Sequence, residues 1–377
     1  MLKNSFIVSL VMILCLLSCE NKAQNSGNDY NSTLIQSLEK TVEQEMEANN
    51  IPAVAVGVIK DGKIMYTNGF GVQQRDSEML VDQHIIFQIA SVSKMFTGII
   101  VNNLVNEGKL DLQAKIINYL KDDLNSKAKE ELASITLAQL MQHTAGIPNY
   151  ACSVYPKSKK NGFYWKDGYD KDEFLADINT IELDFTAGSN QSYSNSGYNL
   201  VGFVCEKQTG LFYAELLQKY ITHPYALTNT FVVPVDNQIS QIAIPYLPHE
   251  PMQATSYSDW GKATPASGIF SSIYDLMQLM QMQMSAYGEK SKSGFHSLVL
   301  TEHPQLDHHL DFQYYLGLFL REGPSGLNLY QHDGDADGYM IFYTFSPEKN
   351  IGKVMVTSCG GEWFIELDRK IEDLLFK

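Results

Sequence analysis

The chain is short of positive charge. It carries 28 Lys and Arg against 43 Asp and Glu, a net charge of −15, and its only basic cluster is KSKK at 157–160. A surface of that sign argues against nucleic acid or an anionic membrane surface as a partner. Cysteine is scarce, with five in 377 residues and no Cys-x-x-Cys, so neither a disulfide framework nor a zinc knuckle is expected. Long apolar runs are absent. The longest, FIVSLVMILCLL, has about 12 residues, too short to span a bilayer as a helix. No Gly-x-Ser-x-Gly elbow occurs, which counts against an α/β-hydrolase. His303, Asp307, His308, His309 and Asp311 are ligand types for zinc, but their spacing matches no common site and Pro304 interrupts them. That segment reads as a solvated loop, so no metal and no cofactor is expected. There is no internal repeat.

What is present is an ordinary globular composition, 44% hydrophobic and 19% charged, on a chain long enough for a large core. The first residues have the form of a targeting segment: Lys3, the short apolar stretch, then LLSCE. Ser18-Cys19 resembles a bacterial lipobox. Residues 1–19 are therefore expected to be a lipoprotein signal with lipid on Cys19, which places the mature chain in the bacterial cell envelope, lipid-anchored and periplasmic or surface-exposed. The membrane is then met only through that anchor. Residues 20–32 are polar and read as a flexible tether. Cys152, Cys205 and Cys359 remain; buried free thiols are expected, and one bridge stays open.

From 33 to 377 the pattern is that of one domain. Leu34, Leu38, Val42 and Met46 fall on one helical face. AVAVGVIKDGKIMYTNG contains two strand-like runs joined by Asp61-Gly62, a strong hairpin signal. At the far end MIFYTF and IGKVMVTS flank SPEKN, and WFIELDRKIEDLLF closes the chain as an amphipathic helix. The expected fold is α+β: one antiparallel sheet built from both chain ends and flanked by helices, with a mainly helical region inserted over roughly 110–265. A cleft between the two parts is the expected substrate site.

Ser-x-x-Lys occurs four times, at Ser37/Lys40, Ser91/Lys94, Ser126/Lys129 and Ser346/Lys349. Spacing alone therefore selects nothing, but only Ser91 lies in apolar sequence. A helix starting at Ser91 and stopped by Gly108 puts Lys94 on the same face as the Ser91 hydroxyl, beside the positive helix end. A lysine held among apolar groups is a competent neutral base. On this stretch alone, Ser91 reads equally as a helix N-cap. Tyr193 and Asn195 stand two apart in NQSYSNSGYNLVG, a segment that also reads as a helix-entry loop. His332-Asp333-Gly334, the only His-x-Gly in the chain, comes just before the first C-terminal strand and taken alone reads as a polar turn.

Taken together, Ser91-x-x-Lys94, Tyr193-Ser194-Asn195 and His332-Asp333-Gly334 resemble the three-motif set of penicillin-recognising serine hydrolases. The branch resembled contains class C beta-lactamases, D-alanyl-D-alanine carboxypeptidases and related esterases. LAQLMQHTAGIPNY at 137–150, with Ala145 in place of the usual serine, and PASGIFSSIYDLMQLM at 265–280 are similar to further segments of that branch. The resemblance implies an acyl-enzyme at Ser91, with Lys94 and Tyr193 moving its proton. It implies that Asn195 holds a substrate amide, that His332 stands where class C beta-lactamases have lysine, and that the backbone N–H groups of Ser91 and Asp335, next to Gly334, receive the oxyanion. The expected partner is a small-molecule or peptide substrate: a beta-lactam, a D-amino-acid peptide or an ester. Asp333, Asp335 and Asp337 at the pocket rim would disfavour an anionic substrate and suit an amine-bearing one. The competing expectation keeps the fold without catalysis: a surface lipoprotein that binds cell-wall fragments or a partner protein.

Overall fold

The computed structural model describes residues 31–150, 169–248, 252–287, 313–315 and 317–376. The signal segment with Cys19, the His303–Asp311 group, KSKK and Cys152 lie outside the described residues. Residues 31–49 form helix α1, so Asn31 and Ser32, expected in the tether, are already helical. Leu34, Leu38, Val42 and Met46 are buried on its inner face.

Strand β1 (Ala53–Lys60) and strand β2 (Lys63–Gly71) form the expected hairpin. Asp61 and Gly62 both take positive φ, 52° and 72°, the backbone a two-residue hairpin turn demands. The C-terminal half of the sheet has five strands: β3 (Gln313–Tyr315), β4 (Leu318–Glu322), β5 (Asn328–Ala336), β6 (Tyr339–Ser346) and β7 (Ile351–Thr357). All pairings are antiparallel and the order is β2-β1-β7-β6-β5-β4-β3. The two chain ends thus share one sheet through the β1–β7 pair, where Val54 faces Thr357.

Alternation on β1 divides the core in two. Val54, Val56 and Val58 face α1 and the last helix α5 (Glu362–Leu375), which turns Phe364, Leu367, Ile371 and Leu375 onto the sheet. Ala53, Ala55 and Ile59 belong to the larger core shared with the helical region. Helix α4 (Ile273–Tyr287) approaches that face so closely that a Cβ on Gly57 would stand 2.4 Å from Met277.

Between β2 and β3 the chain carries helix α2 (Ser93–Asn106), helix α3 (Asn195–Thr209) and several shorter helices. It also contains strand pairs not expected from the sequence. Tyr246–Leu247 pairs with Gln253–Ala254, and Ile86–Gln88 pairs with Phe270–Ser272. The second ladder continues as Ile89 N–H to Ile269 C=O at 2.9 Å. It fixes the segment entering Ser91 against the segment around Ala266.

One expectation is corrected by the strand assignment. His332-Asp333-Gly334 does not precede the first C-terminal strand; it lies inside the nine-residue β5, with β3 and β4 before it. DGDADG has turn composition, and Asp337-Gly338 do form the turn between β5 and β6, but Asp333 to Ala336 pair with β6, Asp335 facing Met340 and Gly334 facing Ile341. Alternation sends Asp333 and Asp335 to the exposed side, with His332, Gly334 and Ala336 buried between them.

Candidate active site

Ser91 sits in a single 3-10 turn, Ala90–Val92, and α2 begins at Ser93. The turn is strained at its entry, since buried Ala90 has φ +44°, a conformation costly for any residue with a Cβ. The cap reading is not met. Val92 is the N-cap of α2, and neither the turn nor the helix has a side-chain cap bond. Instead, two groups converge on Ser91 Oγ. Lys94 Nζ stands 3.2 Å from it and Tyr193 OH donates to it from 2.9 Å. Ser93 is occupied elsewhere, its Oγ accepting the Ile269 N–H at 3.1 Å. The helix still ends as expected, with Gly108 at φ +70° just beyond it.

Lys94 is fully buried. Besides its contact with Ser91, it donates to Asn195 Oδ1 at 2.6 Å and to the Ala266 carbonyl at 2.9 Å. All three partners are uncharged. Burial therefore holds its pKa well below the usual lysine range, with only the more distant Asp333 pulling the other way. The Tyr193 ring lies 4.7 Å from Nζ. Burial raises the Tyr193 hydroxyl above its ordinary pKa, so it stays a neutral phenol near neutrality.

Tyr193 is placed by the start of α3. Ser194 is the N-cap of that helix, its Oγ accepting the Gly197 N–H at 2.8 Å, and Asn195 is the first helical residue. The helix-entry reading of this segment is met, and the same turn brings Tyr193 to Ser91 and Asn195 to Lys94. His332 is 3% exposed. Its Nδ1 lies 2.6 Å from the Asp333 carbonyl, an acceptor only, so that nitrogen carries the proton and Nε2 keeps its lone pair. Burial, followed by the charge of Lys94, lowers its pKa to about 3. The ring is thus a neutral neighbour of Tyr193, 6.4 Å between centroids. Gly334 has a steric role: a Cβ there would lie 2.8 Å from Ile89 O and 2.9 Å from Ser91 N. Only glycine lets β5 approach the Ser91 turn this closely, and Asp335 is the next residue along the strand.

Asp333 and Asp335 are solvent-exposed, but the protein mass around the cleft raises both carboxyl pKa values. Asp337 turns away to Ser258, and burial lifts its pKa to about 7. Two carboxylates, not three, are left beside the site.

Sequence reasoning assigns no role to three participants. His143 (φ +60°, 2% exposed) accepts the Ser194 N–H on Nδ1 at 3.0 Å and packs its ring 4.5 Å from that of Tyr193. Asn149 accepts from both Asn195 N–H and Asn195 Nδ2, at 3.1 and 2.9 Å. The Ala266 carbonyl holds Lys94. The first two lie in 137–150 and the third in 265–280, segments singled out by resemblance; nothing local in them marks these roles. Among the described residues no cluster of His, Cys, Asp and Glu could hold a metal, and Cys205 and Cys359 are buried free thiols.

The arrangement can activate a hydroxyl: a solvent-reachable serine, a buried amine with uncharged partners and a neutral phenol meet at one atom. Several known proteins are similar to this chain. Protein flp of Staphylococcus aureus strain N315 is 24% identical over 338 residues, covering 88% of this chain and 64% of the relative. The chain therefore spans under two thirds of the length of that relative. A putative D-alanyl-D-alanine carboxypeptidase of Escherichia coli O157:H7 is 26% identical, over 76% of this chain and 74% of the relative. The fold matches the octameric penicillin-binding protein homologue from Pyrococcus abyssi with a TM-score of 0.74 at 22% identity, over 86% of this chain and 74% of that one. The profile of the family described as Beta-lactamase matches residues 38–375, and the chain belongs to that family.

Proposed function

We propose that the chain is a serine hydrolase that cleaves small amide or ester substrates through an acyl-enzyme on Ser91. The observation that carries this reading is the environment of Lys94: fully buried, with three uncharged hydrogen-bond partners. A neutral amine has two hydrogens and one lone pair. Asn195 Oδ1 and the Ala266 carbonyl accept only, so they take the two hydrogens. The lone pair is then left for the longest of the three contacts, Ser91 Oγ. Lys94 takes the Ser91 proton as Oγ bonds to the substrate carbonyl carbon. The scissile C–N or C–O bond breaks, and the leaving group takes a proton from Tyr193, which Lys94 replaces. Water then attacks the acyl carbon, its proton returning by the same relay, and Ser91 is released with its own proton restored.

The oxyanion is assigned to the backbone N–H groups of Ser91 and Asp335, a reading supported by the close approach of Gly334 to the Ser91 turn and by the helix end behind it. Neutral His332, with Asp333 and Asp335 beside it, disfavours a substrate carboxylate at this edge and suits an amine-bearing or uncharged group. A D-amino-acid peptide or amide, a class consistent with the name of the Escherichia coli relative, is the favoured substrate type; beta-lactams and esters are tested beside it. Cys19 is proposed to carry the lipid that tethers the enzyme in the envelope.

Intact mass spectrometry after exposure to a fluorophosphonate and to a beta-lactam tests the reading. The expected result is a covalent adduct that disappears in Ser91→Ala. Folded protein that takes up neither reagent would favour a binding lipoprotein instead.

A further inference from the structure

We infer that Asn149 is a positioning residue that decides which atom of the Asn195 amide faces Lys94, and through it where the Lys94 lone pair points. The inference rests on the Ser91 acyl-enzyme reading and adds to it a residue outside the three motifs. A carboxamide has two nearly isosteric ends, one donating and one accepting, and turning it by about 180° exchanges them. In the observed orientation Asn195 Oδ1 accepts from Lys94. Turned over, Nδ2 would face Lys94 and donate to its lone pair. The amine would then have nothing with which to receive the Ser91 proton.

What selects the orientation is a group that cannot turn. The backbone N–H of Asn195 only donates, and it donates to Asn149 Oδ1 at 3.1 Å. That pins the oxygen end of Asn149 toward Asn195. The same oxygen stands 2.9 Å from Asn195 Nδ2, which must therefore be the donating end. Oδ1 is left for Lys94. Asn149 is itself held through its backbone, its carbonyl accepting the Ser196 N–H at 3.0 Å. One hydrogen of Asn195 Nδ2 remains free to meet a substrate carbonyl. Asn149 is exposed on a loop, whereas Asn195 is 5% and Lys94 0% exposed. The surface residue thus sets a choice made in the interior without touching the reacting atoms.

Asn149→Ala and Asn149→Asp test this. The alanine removes the acceptor. The aspartate keeps an oxygen in the same place and adds a charge. With thermal unfolding unchanged, Asn149→Ala is expected to slow fluorophosphonate labelling of Ser91 by about 10-fold. Asn149→Asp is expected to recover most of that rate at alkaline pH. Its acid limb should move to higher pH, because a nearby carboxylate favours charged Lys94. A second measurement needs no reactivity. In asparagine-selective 15N spectra, the Asn195 side-chain proton that faces Asn149, assigned by its loss in Asn195→Asp, should exchange slowly in wild type and Asn149→Asp and fast in Asn149→Ala. The inference is overturned if Asn149→Ala labels at the wild-type rate, if Asn149→Asp is as slow as Asn149→Ala, or if exchange at Asn195 ignores Asn149. Wild type that labels with no probe would sink the hydrolase reading alone, and the exchange measurement would still decide the role of Asn149.

Discussion

Lys94 and Lys353 are both 0% exposed, on opposite sides of one molecule, and they meet burial in opposite ways. Lys353 lies on β7 and forms an ion pair with Asp368 of α5, with the Phe342 ring 5.8 Å from its ammonium. Arg321 and Glu372 make a second bridge from β4 to the same helix. Lys94 has a hydroxyl and two carbonyls instead. A matched countercharge offsets the desolvation of a buried lysine and makes it part of the architecture. Uncharged acceptors make it a base.

The strongest way to break this contrast is Lys94→Met, which keeps the shape and removes the amine. Ser91 labelling should fall by about 10³-fold. Global stability should change by less than about 2 kcal/mol, because two carbonyls lose a donor while an uncompensated amine leaves the interior. Lys353→Met should do the reverse, costing about 3–5 kcal/mol in urea unfolding by stranding Asp368, while the folded fraction labels at the wild-type rate. Lys353→Met/Asp368→Leu should regain most of that loss; a double variant as unstable as the single would make the pair more than a matched charge.

The smallest effect is a slope. Lys94 has an ordinary pKa of 10.5 when unfolded and a much lower one when folded. Between those values the unfolded chain binds a proton that the native state lacks. Stability therefore rises with pH across the window, by at most about 1.4 kcal/mol per unit, and the gain ends above 10.5. Urea midpoints taken in pH steps should show this component in wild type and Lys353→Met and lose it in Lys94→Met. Labelling should share its direction, falling as pH drops through the depressed value.

Much of the frame is legible in the residues because its signals are local. Val54, Val56 and Val58 repeat every second position, and Phe364, Leu367, Ile371 and Leu375 at helical spacing. Asp61-Gly62 specifies a turn that few other pairs adopt. Ser91 is legible only in combination, since its three sister Ser-x-x-Lys pairs show that spacing carries little. β5 reads as a turn because Asp333 and Asp335 alternate to its exposed side, and a strand polar on that side with glycine on the other has turn composition. The Asn149–Asn195 contact spans 46 positions and the Ala266–Lys94 contact 172. The second uses a backbone carbonyl, a group every residue has, so no choice of side chain encodes it.

The neighbourhood of β1 and β7 has a consequence for how the protein is made. Thr357 Oγ1 donates to the carbonyl of Ala53, 304 positions earlier in the chain. During synthesis the first hairpin emerges with one flank unpaired and waits until the partner strand, 304 positions on, has been translated. Closing such a distant pair makes folding slow. The Ser91 turn, packed under β5 at Gly334, stays unassembled through the same interval. A nascent or prematurely terminated chain that stops short of β5 therefore holds Ser91 without the strand that completes its surroundings.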